Sequence, residues 1–74
     1  MANKNKNWGK WIKDDQSVVS CTEKIKVMDE NFDELEQLAQ DAFEDGILME
    51  VSDQQMRDVL HQIVDDLKNK LNKK

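Results

Sequence analysis

Ile25, Met28, Phe32, Leu35, Ala39 and Ala42 recur at intervals of three and four residues, and no proline interrupts the chain anywhere. That spacing gathers all six on one side of an α-helix and would scatter them over both faces of a strand. The other positions of the stretch Asp29 to Asp45 (DENFDELEQLAQDAFED) hold Asp29, Glu30, Asp33, Glu34, Glu36, Asp41, Glu44 and Asp45, without a single Lys or Arg. At the rise of an α-helix these carboxylates spread along roughly 25 Å, centred opposite the apolar set.

The rest of the chain is read outward from this helix. Upstream, Ser17 to Met28 (SVVSCTEKIKVM) is β-branched enough for a short strand or hairpin. Ser20 with Glu23 matches a capping box, however, and Ile25 already stands in the helical register. A helix over about 21–45 follows, ending at Gly46, which suits the left-handed position beyond a helix terminus. Ile47, Leu48 and Met49 are too apolar for an ordinary exposed loop; they fold back beneath the helices or prolong the first by a turn. Ser52 and Gln55 form a second capping box, with Val51 and Met56 placed as a hydrophobic staple and Asp53 matching the helix dipole. The apolar run Met56, Val59, Leu60, Ile63, Val64, Leu67 and Leu71 then carries a second helix over about 53–71, ending among Lys68, Lys70, Lys73 and Lys74.

The fold expected is all-α: an antiparallel helical hairpin in a single small domain over 8–74, preceded by a polar tail at 1–7. Each helix carries an apolar stripe wider than one partner helix covers. Leu38 and Phe43 edge the first stripe, and Val59 and Val64 the second. In WGKWI, Trp8, Trp11 and Ile12 align over one helical turn and can pack on the hairpin. Dimerisation into a bundle is the simplest closed way to cover what remains.

Charge narrows the function. Residues 1–13 carry a net +4, residues 14–45 a net -9, and the remainder is balanced. An acidic middle repels phosphate backbones, so direct nucleic-acid binding is not expected. One cysteine, Cys21, makes neither a disulfide framework nor a zinc set, and it fits a reducing compartment; it is read as an inert, partly buried thiol. No signal-peptide or membrane-spanning run is present, which points to a soluble cytoplasmic protein without stable membrane association. Asp41 to Ser52 fails as a calcium loop, with Phe43 and Ser52 where carboxylates are needed. His61, between Arg57, Asp58 and Asp65 at helical spacing, reads as a solvated histidine with no nucleophile beside it. No phosphate loop, metal set or cofactor motif appears, and no enzyme is expected.

The reading that remains is a non-catalytic protein–protein interaction module, an adaptor or regulator. Its binding residues would be Trp8 and Trp11 as apolar anchors, Glu34, Asp41 and Glu44 facing a basic partner, and Ile47, Leu48 and Met49 as a second anchor. Two alternatives stay open. One is an inhibitor, antitoxin-like in kind, whose acidic helix imitates the phosphates of a nucleic acid. The other is an accessory subunit of an enzyme complex.

Overall fold

The computed structural model describes residues 8–71, so the polar tail expected at 1–7 and the last two lysines lie outside it. The described residues form two α-helices, α1 (Thr22–Leu48) and α2 (Asp53–Asp65), and no β-strand. The chain divides into two compact units, Met1–Leu38 and Ala39–Lys74, at a point within α1.

In the first unit, the polar break at Asp14 to Ser17 is a tight reversal. The amide of Lys13 donates to Ser17 O (2.8 Å), and that of Gln16 to Lys13 O (2.9 Å). Gln16 takes the left-handed conformation at φ 76°, as the third residue of a three-residue hairpin loop does. Asp15 Oδ1 braces the loop by accepting from the amide and the hydroxyl of Ser17, at 2.9 and 2.5 Å. The Ser17 hydroxyl and amide hold the Asp15 carboxyl below its ordinary pKa. The flanks meet in an isolated antiparallel bridge, Ile12 to Val18, and the Val19 amide donates to Trp11 O at 2.8 Å. The β-branched residues at 18 and 19 therefore supply a hairpin return, and the helix begins only at Thr22. One helical turn at Trp8–Ile12 does not form: Gly9 adopts φ 86°, Trp11 pairs with Val19, and Ile12 lies exposed in the bridge.

The cap of α1 sits one residue later than the Ser20–Glu23 pattern implies. The Ile25 amide donates to Cys21 O at 3.0 Å, so the intrahelical ladder starts from Cys21. Its sulfur lies within reach of the Lys24 and Glu23 amides, which lower the thiol pKa. Cys21 is thus exposed, and not partly buried.

In the second unit, α1 does not stop at Gly46. It continues to Leu48 and closes in a Schellman motif: Val51 N donates to Gly46 O (2.9 Å) and Glu50 N to Ile47 O (3.0 Å). Glu50, at φ 71°, fills the left-handed position. Gly46 is buried inside α1 for a different reason, since a Cβ there would collide with the thioether of Met56. The glycine lets α2 approach α1, and Arg57 lies 5.0 Å over the Phe43 ring. These contacts make the helical hairpin.

The start of α2 is as its sequence implies: Ser52 has extended backbone and its hydroxyl accepts from the Gln55 amide at 3.1 Å. Arg57 Nε donates to Asp53 Oδ1 at 2.6 Å on the exposed face. The far end differs. The helix stops at Asp65 with Asp66 as its C-cap, short of Leu71, and its last turn holds no basic residue.

Candidate functional site

Phe32 is the centre of the first unit's tertiary contacts. Trp11 stacks on it with ring centroids 5.5 Å apart and planes at 30°, and Trp8 meets it at 5.9 Å and 56°. Each indole also donates a hydrogen bond to α1, Trp8 Nε1 to Asp33 Oδ1 and Trp11 Nε1 to Asp29 Oδ1, both at 2.9 Å. The match is one of spacing. Asp29 and Asp33 are one helical turn apart on either side of Phe32, and residues 8–19, the strap that precedes α1, present two indoles three residues apart. Val19, paired with Trp11, leads directly into α1 and so sets the strap over the first turns of the helix.

Both tryptophans are half-buried, as are Met28, Asp29, Phe32 and Asp33 beneath them. The indole–carboxylate pairs are what sequence reasoning missed. Their signal lay in two matched spacings, hidden because Asp29 and Asp33 looked like members of a uniform acidic face.

The other candidate residues lie open. Glu34, Asp41 and Glu44 are exposed along α1, and Glu44 Oε2 accepts from Gln40 Nε2 at 2.9 Å. Ile47, Leu48 and Met49 occupy the last turn and cap of α1; Leu48 is 81% and Met49 76% exposed. The strap thus brings Trp8 and Trp11 together, whereas the three carboxylates are only strung along one helix.

Apolar surface is open in each unit. In the first, Val27, Leu35 and Leu38 form an uncovered edge of α1, with Leu38 66% exposed. An open groove of 430 Å³ beside it is lined by Val19, Glu23, Lys24, Val27 and Met28. In the second, Val59, Ile63, Val64, Leu67 and Leu71 are exposed. An open recess of 520 Å³ runs along α2 past Ser52, Asp58, Val59 and Gln62. No large apolar side chain among the described residues is buried.

For chemistry the inventory is short. Among the described residues no group of three or more His, Cys, Asp or Glu is placed to hold a metal ion, and His61 is exposed on α2. Cys21 carries an exposed thiol whose pKa is lowered by the Lys24 and Glu23 amides. No helix of the described chain is long and apolar enough to cross a membrane. The chain matches no family model, no curated protein and no solved structure.

Proposed function

We propose that the protein is a small, non-catalytic protein–protein interaction module of the cytoplasm, completed as a helical bundle by association. The observation that carries this reading is the exposure of Leu35, Leu38, Leu48, Met49, Ile63, Val64 and Leu67 in a chain that buries no large apolar side chain among its described residues. A domain of this size has little apolar burial to spare against chain entropy, and surface left open on this extent is the mark of an interface. Glu34, Asp41 and Glu44 favour a basic partner, while Leu48 and Met49, with the open edges of Trp8 and Trp11, supply apolar contact. An accessory subunit of an enzyme complex would use the same surfaces. Imitation of nucleic-acid phosphates has less support, because Asp33 already accepts the Trp8 indole.

Capture by the immobilised chain tests the reading. Leu48→Ser with Met49→Ser should abolish capture of a protein partner with helicity retained, and Glu34→Lys with Asp41→Lys should weaken it. Capture unchanged in both variants would overturn the assignment of these residues. Steep loss of capture with rising salt, with no effect of the apolar variant, would favour phosphate imitation.

A further inference from the structure

The end of α2 is where sequence pattern and structure diverge most. Its apolar spacing continues through Leu67 and Leu71, yet the helix stops at Asp65, on two carboxylates that oppose the helix dipole. The arm beyond it is irregular. Leu67 is 73% and Leu71 84% exposed, Lys68 and Lys70 are exposed beside them, and the Leu71 amide bonds only as far as Asn69 Oδ1 at 3.0 Å. Continued as a helix, the arm would align Leu67 and Leu71 with Ile63 and Val64 and would move the C-terminus into the lysines, where the dipole favours positive charge. A short amphipathic helix is marginal until its apolar side is covered.

A surface of opposite sign is present on the same chain. The open edge of α1, Val27, Leu35 and Leu38, is flanked by exposed Glu30 and Glu34. Glu30 has only a long contact to Lys26, at 4.0 Å. One surface is apolar with acidic flanks, and the other is apolar with basic flanks. We infer that the occupant of the α1 edge is the C-terminal arm of a second copy of this chain, which lengthens α2 as it docks. An exchange in which each copy gives one arm and receives one closes as a dimer, and it covers both surfaces on both copies. A foreign partner would need to supply an acidic and a basic apolar surface together to do the same. The inference rests on the interaction reading above and names its partner.

Charge exchange tests it on the full chain, with sedimentation velocity for mass and far-UV circular dichroism for helix content. The wild type should be a dimer whose helicity rises with concentration. Glu30→Lys with Glu34→Lys should raise the dissociation constant roughly tenfold or more, and Lys68→Glu with Lys70→Glu should do likewise, because each sets like charges against each other. Mixing the two variants should restore the dimer, since the positive edge and arm of one then face the negative arm and edge of the other. A monomeric wild type, or a mixture that stays monomeric, overturns the inference. If all four reversals in one chain regain helicity as a monomer, the arm docks on its own α1, and the inference is likewise overturned. Either result leaves the interaction reading to the capture experiment, which depends on Leu48 and Met49.

Discussion

Asp29 and Asp33 show how position gives one residue type two roles. Exposed neighbours such as Glu34 keep α1 solvated, whereas these two, on the Phe32 side, accept the indole protons of Trp11 and Trp8. Removing an acceptor leaves a half-buried donor to be rehydrated, at a cost of about 1–2 kcal/mol. Asp33→Ala should therefore lower stability in urea by about that amount and shift Trp emission to the red. Asp33→Asn, which keeps an acceptor, should cost less. Equal losses would mean that the carboxylate charge, and not the hydrogen bond, holds the strap. Cys21 is the second residue with a legible consequence. The Lys24 amide, then that of Glu23, stabilises its thiolate, so the pKa lies below the ordinary 9.0. The folded-state pKa is depressed, so the stability this cap contributes is present above the unfolded-state pKa and is lost as pH falls through the folded one. Alkylation by iodoacetamide should show its midpoint at lower pH in the folded chain than in urea. Coincident profiles would remove the cap from the account.

The helix ends show how far local rules reach. At α2 the Ser52 hydroxyl, extended backbone and Asp53 form a start as their order in the chain implies. At α1 the glycine rule fails because a stronger demand claims Gly46. Met56 packs where its side chain would be, so the left-handed position passes to Glu50. A non-glycine residue there carries a backbone penalty that glycine avoids. Glu50→Gly should thus stabilise the hairpin by up to about 1 kcal/mol in chemical denaturation, with the gain limited by the greater freedom of glycine in the unfolded chain. A loss of stability would show that the Glu50 side chain contributes more than its conformation costs.

Across the molecule, local information accounts for the two helices, their amphipathic faces and the α2 cap. Those features depend on groups within a few residues of one another, and spacing in the chain is then spacing in space. The ambiguous segment 17–28 divided on the same grounds: Ser17 to Val19 pair back across a tight loop, and Ile25 and Met28 follow the helical register. Among the proposed binding residues, the exposed positions of Glu34, Asp41 and Glu44 were legible from the helical wheel, but the seating of Trp8 and Trp11 on Phe32 was not. What the order of residues determined about this protein is its all-α character and the faces each helix presents. Only the tertiary structure decided that Gly46 serves a close approach, that two of the acids hold indoles, and that α2 stops at Asp65. Each of these turns on a neighbour distant in the chain, or on the want of one: a helix end is set by whichever side chain meets it, and an apolar arm orders only where something covers it.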